Sequence, residues 1–265
     1  MSPTPQNQRV ERVEVLGVPF DDFPAEDAIS LMARWVANEP GILHQVVTAN
    51  PEFLVAARRD ARFREVLRGA DLATPDGVGV LLGSRILGHP IRHRVTGVDL
   101  VEGLAARRDE RFSLFLLGAA PGIAAKAADR LRQRFPGVLI PGVWEGSPRA
   151  EDFDQILQKL NAARPSILLV AYGAPRQDIW IDEHRTELAA CGIVIAIGIG
   201  GALDYVAGAV PRAPRWIRRI GFEWLYRLVR QPWRWRRQLA LPLFALLIIG
   251  ERLRGTRHGT GERVW

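Results

Sequence analysis

Cysteine and lysine are almost absent from this sequence of 265 residues. The lone cysteine, Cys191, excludes an internal disulfide and is typical of a chain in a reducing compartment. Lysine occurs only at Lys126 and Lys159, so arginine carries nearly all of the positive charge. The polar segment Met1–Arg12 has no apolar core of the kind found in signal peptides, which predicts a cytoplasmic location.

Sequences that hold metals, phosphates or common nucleophiles are also missing. There is no Walker sequence, no Gly-x-Ser-x-Gly elbow and no complete Gly-x-Gly-x-x-Gly fingerprint. Asp152 and Asp154 have the Asp-x-Asp spacing of metal-dependent sugar transferases, but they stand at the start of a predicted helix, where acids stabilise the helix dipole. We therefore expect neither a metal nor another cofactor.

Charge is unevenly distributed along the chain. Twelve arginines and two acidic residues lie between Arg212 and Arg257, whereas the net charge of the whole chain is only +7, so the remainder is mildly acidic. This asymmetry favours a polyanionic partner, either nucleic acid or an anionic membrane surface. The neighbouring apolar run Leu239–Gly250 is too short to cross a bilayer as a helix, for which about 20 residues are needed. Such a run is expected to lie in a membrane interface or to pack on the body.

Apolar runs alternate with helical patterns over residues 1–210. Strands are predicted at Val13–Val18, His44–Thr48, Phe112–Leu117, Val138–Val143, Ile167–Ala171 and Ile193–Ile197. Helices are predicted at Pro51–Arg68, Val78–Leu87, Ile123–Phe135 and Glu151–Ala163. This alternation indicates a Rossmann-like α/β sandwich with a mainly parallel sheet and ligands at the carboxyl ends of the strands. Residues 211–265 are predicted to form a basic, aromatic-rich helical appendage that associates with a membrane.

Three clusters carry polar groups that suit a substrate. Thr48 and Asn50 stand between a strand and a helix, where oxygens and free N–H groups suit an anionic or hydroxyl-rich ligand, although Asn50 also fits ordinary N-capping. Asp76 lies in a Pro-Asp-Gly turn and is either a general base or a structural turn residue. Arg94 fits a phosphate contact or a surface arginine beside a helix cap at Asp99.

Glycine-rich turns between strands and helices form a second group of candidates. Turns of this kind cradle phosphates, but they also use glycine for geometry alone. An arginine in the first turn of a helix interacts unfavourably with the helix dipole, which favours a ligand role for Arg176 together with Gln177. The candidate positions are Gly118, Gly173, Arg176, Gln177, Gly200 and Gly201.

Several stretches, taken in order along the chain, resemble the motifs of the WecG/TagA/CpsF glycosyltransferase family. They are Thr48–Glu52, Ala70–Gly79, Arg94–Asp99, Phe115–Gly118, Gly173–Trp180, Gly200–Trp216 and Gly221–Leu228. The resemblance implies an inverting transferase that uses no metal. It would move a hexose-type sugar, such as N-acetylmannosamine or its uronic acid, from a UDP donor to a polyprenyl-diphosphate-linked acceptor in cell-surface polysaccharide biosynthesis.

The resemblance also implies roles for individual residues. Asp76 would be the general base, with Thr48, Asn50 and Arg94 around the reacting groups. The donor would be bound by Gly118, Gly173, Arg176, Gln177, Gly200, Gly201 and Asp204, the last near the uridine. The membrane or the acceptor diphosphate would be contacted by Arg212, Arg215, Arg219 and Arg227.

Two other functions stay open at this point. A dinucleotide-dependent Rossmann oxidoreductase fits the fold but lacks the fingerprint sequence. A nucleic-acid-binding protein fits the arginines and tryptophans of the tail, since both residue types also bind single strands. The apolar run beside them favours lipid. We therefore expect a UDP-sugar, a lipid-linked acceptor and an anionic membrane as partners, no nucleic acid, and peripheral attachment to the inner face of the cell membrane. The sequence leaves a homo-oligomer open.

Overall fold

The computed structural model describes residues 12–107, 109–214, 217, 223–230, 232 and 235–258. The side chains of residues 227, 236 and 255–258 are not among those described. The predictions for Arg215 and Arg219, and for the side chain of Arg227, therefore lie outside the described residues.

The described residues form a small hairpin and a six-stranded parallel sheet with the order β4-β3-β8-β7-β5-β6. The strands are β1 Val13–Val15, β2 Val18–Phe20, β3 His44–Ala49, β4 Leu72–Pro75, β5 Ser113–Gly118, β6 Leu139–Trp144, β7 Ile167–Ala171 and β8 Ile195–Gly198. The predicted α/β class with a mainly parallel sheet is confirmed. Because all six main strands run in the same direction, the loops that follow them gather at one edge of the sheet.

Helices connect the strands and cover both faces of the sheet. They are α1 Ala25–Asn38, α2 Pro51–Arg59, α3 Ala61–Gly69, α4 Val78–Leu87, α5 Gly97–Ala106, α6 Ile123–Arg134, α7 Ala150–Ala163, α8 Arg176–Glu183, α9 Arg185–Ala190 and α10 Ala202–Val206. The C-terminal segment adds α11 Glu223–Arg230, α12 Trp235–Gln238 and α13 Ala240–His258. Helix α1 was not predicted, although its buried residues Ala28, Met32 and Trp35 have helical spacing.

Three predicted elements differ from the observed ones. The single strand Val13–Val18 is in fact the hairpin β1–β2, which reverses at Leu16 and Gly17 with φ angles of 52° and 81°. The single helix Pro51–Arg68 is two helices, because the Asp60 carboxylate accepts a hydrogen bond from Phe63 N and starts α3. The segment predicted as turns before Asp76 contains β4, which is buried although it is only four residues long.

The core alternates across the sheet in the way expected of strands buried on both faces. On β7, Leu169 packs with α1, α5, α6 and α10, whereas its neighbour Leu168 packs with α7, α8 and α9 on the opposite face. A third cluster joins the hairpin, α2, α3, α4 and α13. Helices cover both faces of the sheet, whereas the loops after the strands lie at its open edge, where sites of this fold class form.

Candidate active site

A cavity of about 610 Å³ opens at the carboxyl ends of β3, β4, β7 and β8. These strands are consecutive neighbours in the sheet, so the loops that follow them meet. The volume lies in the range of about 300–1,000 Å³ that is typical of small-molecule sites. The sequence-predicted residues that line the cavity are Thr48, Asn50, Asp76, Arg94, Gly173, Gln177, Gly200, Gly201 and Arg212.

Three predicted donor-binding residues do not line this cavity. Gly118 ends β5, outside the group of four strands, and a Cβ atom there would come within 2.7 Å of the Tyr172 ring. Close packing against Tyr172 therefore explains why residue 118 is a glycine. Arg176 is exposed at the start of α8, and Asp204 lies in the first turn of α10 beside the lining residue Tyr205. Contacts of these three residues with a donor stay predictions.

Asp76 stands where β4 turns into α4. Its backbone N–H donates a 2.8 Å hydrogen bond to the carbonyl oxygen of Ala49, the last residue of the neighbouring strand β3. Gly77 then adopts a φ of 115°, which is a conformation that favours glycine, and α4 begins at the next residue. The turn thus holds Asp76 rigidly at the loop edge of the sheet, with its side chain on the cavity wall.

The Asp76 carboxyl group has an unusual proton affinity. Burial raises the pKa of Asp76 from 3.8 to about 7. The charge of Arg94 and a hydrogen bond from the backbone of Gly97 lower this pKa, whereas the negative charges of Glu223 and Asp99 raise it. A carboxyl group whose pKa lies near the operating pH is well suited to accept a proton during a reaction.

An ionic network connects the cavity to the C-terminal segment. Arg94 Nη1 lies 3.5 Å from Glu223 Oε2, and Arg212 Nε lies 3.9 Å from Glu223 Oε1. Arg212 Nη2 also lies 3.0 Å from Asp99 Oδ1. Helix α11 therefore places one carboxylate between two cations of the cavity. No sequence pattern singled out Glu223, although it lies within the family-like stretch Gly221–Leu228.

The start of α5 forms another part of the cavity wall. The Thr96 hydroxyl accepts a hydrogen bond from Asp99 N, and the Asp99 carboxylate accepts one from Thr96 N, so the two residues make a capping box. The cap residue is therefore Thr96, whereas the sequence placed it at Asp99. The next residue, Gly97, lies close to Ile199 O, where a Cβ atom would be 3.4 Å away. This close packing brings the N-terminus of α5 to the edge of the sheet.

Thr48 and Asn50 combine structural contacts with their place on the cavity wall. The Thr48 hydroxyl donates a 3.1 Å hydrogen bond to Gly198 O and so ties β3 to β8. Asn50 Oδ1 accepts hydrogen bonds from Glu52 N at 2.9 Å and Phe53 N at 3.3 Å. The N-capping role considered for Asn50 is thus confirmed, and it leaves the residue in contact with the cavity as well.

Gln177 joins two glycine loops of the site. Its Oε1 atom accepts a 3.1 Å hydrogen bond from Gly173 N and a 2.9 Å hydrogen bond from Gly200 N. The side chain is 1% exposed, so these bonds are shielded from water. A Cβ atom at Gly198 would lie 2.7 Å from Gln177 Nε2, which explains a glycine at the end of β8. Gln177 therefore holds the loops after β7 and β8 in register, whatever further contact it makes with a ligand.

The acidic residues of the Asp-x-Asp sequence take part in helix geometry and, within the described part of the chain, not in a metal-like cluster. Among the described residues, no three His, Cys, Asp or Glu side chains are placed together so that they could hold a metal ion. Asp152 Oδ2 accepts a 2.8 Å hydrogen bond from Ser147 N just before α7. This is the helix-start role that was predicted for the Asp-x-Asp sequence.

Helix α13 lines the apolar end of the cavity. Phe244 and Ile248 pack on α4 at Gly83, where a Cβ atom would come within 2.8 Å of Phe244 Cζ. The run Leu239–Gly250 therefore packs on the body through one face, while Leu246 on another face is 67% exposed. In the part of the chain that the structure describes, no helix has both the length and the apolar content needed to span a membrane.

Comparisons with known proteins identify a family to which most of the chain is similar. A family model described as the glycosyl transferase WecG/TagA/CpsF family matches residues 13–258, which is most of the chain. The match includes every strand and helix that lines the cavity.

Three curated relatives to which the chain is similar are each named N-acetylglucosaminyldiphosphoundecaprenol N-acetyl-beta-D-mannosaminyltransferase. The protein from Bacillus spizizenii is 35% identical over 219 residues, which cover 82% of this chain and 83% of the relative. The Bacillus subtilis protein is 32% identical over 78% of this chain and 79% of its own length. A Staphylococcus aureus protein is 29% identical over 90% of this chain and 92% of its own length.

Proposed function

The chain belongs to the WecG/TagA/CpsF glycosyltransferase family and is an enzyme of the glycosyltransferase class; from this premise we propose that its cavity transfers a sugar from a UDP-sugar to a polyprenyl-diphosphate-linked acceptor, with Asp76 as general base. The observation that carries the proposal is the position of Asp76, a carboxyl group of raised pKa on the wall of a cavity that is also lined by Arg94, Arg212 and Arg237.

The chemistry follows from the groups around the cavity. An acceptor hydroxyl attacks the anomeric carbon of the donor while Asp76 takes the hydroxyl proton. A new carbon–oxygen bond forms on one face of the sugar as the bond to the UDP oxygen breaks on the other, so the anomeric configuration inverts. Negative charge collects on the departing diphosphate, and Arg94, Arg212 and the N-terminus of α5 stabilise it. None of these steps requires a covalent enzyme intermediate.

Substrate identity is supported by the names of the relatives. Those names specify an N-acetylmannosaminyl group as the part transferred and N-acetylglucosaminyl-diphosphoundecaprenol as the acceptor. We extend this class of substrates to the present chain: a hexose-type sugar such as N-acetylmannosamine or its uronic acid, carried on UDP, and an acceptor sugar on polyprenyl diphosphate. The product is an early lipid-linked unit of a cell-surface polysaccharide.

A membrane-held acceptor requires that the site reach the membrane. Exposed apolar side chains of the C-terminal helices, among them Val229 at 73% and Leu246 at 67%, lie on the segment that carries twelve arginines. Apolar side chains bury in the interface, and each arginine near an anionic surface adds about 1 kcal/mol of attraction. We therefore place the reaction at the inner face of the cell membrane, with the enzyme attached peripherally.

The direct test is a transfer assay with purified protein. A panel of UDP-sugars is incubated with N-acetylglucosaminyl-diphosphoundecaprenol in detergent, and the lipid product is identified by mass spectrometry. The wild type and the Asp76→Asn variant are compared at equal folded concentration, with UDP binding measured separately. We expect product from the wild type only, with UDP bound by both. Near-normal turnover by Asp76→Asn would exclude the base role, and the absence of any product from the wild type would reject the transfer itself.

Attachment to the membrane is tested by flotation with anionic vesicles. A chain that ends at Val210 is unsuitable, because it would remove Phe244 and Ile248 from the core. The variants Val229→Glu and Leu246→Glu change exposed positions instead and add negative charge where an interface is expected. Both should float less than the wild type, and the part of the loss that comes from the added charge should become smaller at higher salt, which screens repulsion from the anionic lipid. Unchanged flotation would argue against this face as the contact.

A further inference from the structure

The cavity continues from its charged end into an apolar groove between α4 and α13. Leu82 and Ile86 of α4 line the groove, four residues apart and therefore on one face of that helix. Leu241, Ala245 and Ile249 of α13 line it with the same spacing. The stripe on α13 spans eight residues, which is a rise of about 12 Å.

These apolar side chains are open to solvent although a partner helix is close. Leu82 is 51% exposed, Ile86 49% and Ile249 50%. By contrast, Phe244 and Ile248 of α13 are 5% and 1% exposed, because they pack against α4 at Gly83. The two helices are therefore in contact along the face of α13 that carries Phe244 and Ile248, and they are separated along the neighbouring face that carries Ala245 and Ile249. An exposed apolar surface of this kind is typical of a binding site.

The chemistry of the ligand can be inferred from the two regions that the groove connects. At its inner end lie Asp76, Arg94 and Arg212, which are groups that suit a sugar and a diphosphate. Its outer part runs along α13, whose other faces expose Leu246 and Leu253. A ligand that fits both ends has an anionic head attached directly to an apolar chain. A UDP-sugar has no such chain, whereas a polyprenyl-diphosphate acceptor has one.

We propose that the groove between α4 and α13 binds the isoprenoid chain of the lipid-linked acceptor, over the isoprene units next to the diphosphate. This inference rests on the proposed function and adds to it a second binding surface, separate from the reacting groups. It makes α13 part of the acceptor site. The bound chain enters from the membrane along α13, so the acceptor's sugar is brought to the charged end of the cavity, beside Asp76, without leaving the groove.

The test uses a pair of substitutions on adjacent residues of α13. Ala245→Phe fills the groove, whereas Leu246→Phe places a ring of the same size on an exposed face outside it. Neither residue belongs to the core, since both are exposed. Binding of undecaprenyl monophosphate and of dimethylallyl monophosphate, which has one isoprene unit, is measured by calorimetry in the same detergent. Thermal unfolding verifies that each variant is folded.

We expect the wild type and Leu246→Phe to prefer the long chain equally. Ala245→Phe should reduce that preference roughly tenfold, which corresponds to about two methylene groups that are no longer buried. A second variant, Ile86→Ser, approaches the groove from α4 and should give the same direction if Ala245→Phe fails to fold. An equal preference for the long chain in all variants would overturn the inference. A change in the oligomeric state of the groove variants with lipid binding unaltered would also overturn it, because a second copy of the chain would then cover the groove.

A kinetic comparison separates this inference from the proposed function. For transfer to the undecaprenyl acceptor, Ala245→Phe should raise the acceptor KM and leave the donor KM unchanged. The binding experiment needs no turnover. If the wild type transfers no sugar but Ala245→Phe still loses long-chain binding selectively, the groove assignment stands and the proposed reaction fails. If transfer occurs and chain length has no effect on binding or KM, the reaction stands and the groove assignment fails.

Discussion

Replacing Asp76 by asparagine should stop sugar transfer and at the same time stabilise the fold. The pKa of Asp76 is about 7 in the folded chain, against 3.8 for an unperturbed carboxyl group. Between these two values the folded state keeps a proton that the unfolded state has released. Stability therefore falls as the pH rises from about 4 to 7, by at most about 4 kcal/mol. Asparagine does not titrate, so the Asp76→Asn variant avoids this loss.

The size of the effect depends on pH in a way that can be calculated. At pH 5 most of the loss of wild-type stability has not yet occurred, whereas at pH 8 this loss is nearly complete. The stability advantage of Asp76→Asn should thus grow by up to about 3 kcal/mol between pH 5 and pH 8. For a chain of this size, this corresponds to a rise of roughly 5 °C or more in the difference between the two Tm values. The measurement is thermal or urea unfolding of both proteins at the two pH values.

Asp178 offers a matched control for this experiment. Burial also raises its pKa to about 7, and its side chain is 0% exposed, but it does not line the cavity. Asp178→Asn should show the same trend in stability with pH and should retain transfer. If the advantage of Asp76→Asn is the same at pH 5 and pH 8, or if this variant is the less stable protein at pH 8, the argument that burial raises the pKa of Asp76 is wrong.

Two further predictions concern the C-terminal segment. Glu223→Gln removes a negative charge that raises the pKa of Asp76, so the acid limb of the pH profile of kcat/KM should move to lower pH. The control Glu251→Gln on α13 should leave this limb in place. An acid limb that stays or moves to higher pH in Glu223→Gln contradicts this electrostatic role. Gly83→Val should loosen the contact of α13 with α4 and lower the free energy of unfolding by about 1–3 kcal/mol. The control Gly69→Ala changes a helical glycine with free space around it and should be neutral or slightly stabilising. Equal stability of Gly83→Val and the wild type in urea unfolding would show that the α4–α13 contact does not need a glycine.

Much of the fold could be predicted from local patterns. Strands such as Ile167–Ala171 are continuous apolar runs, and a run buried on both faces has the same appearance wherever it lies in the sheet. β4 was missed because it is only four residues long and its last residue, Pro75, already belongs to the Pro-Asp-Gly turn. The division of Pro51–Arg68 at Asp60 was missed because a cap interrupts the backbone without interrupting the apolar pattern.

Part of the candidate site could be predicted for a similar reason. Parallel strands bring their carboxyl ends to one edge, so polar residues near the ends of predicted strands were expected to meet, and Thr48 and Gln177 do line one cavity. Asp76 lines the same cavity because β4, which was not predicted, ends immediately before it. The neighbours in the sheet decide which turns take part. Gly118 follows a strand in the same manner, but β5 lies beyond β7 in the strand order and its turn stays outside the cavity.

The sequence by itself determined the residue types at the ends of the strands and the uneven charge of the chain, because both depend on local order alone. Only the tertiary structure decided what those residues do to one another. The pKa of Asp76 depends on burial and on Glu223, which lies far along the chain but reaches the cavity beside Arg94 and Arg212. Electrostatic energy and burial depend on distance in space, and a local pattern carries no information about which distant segment will arrive.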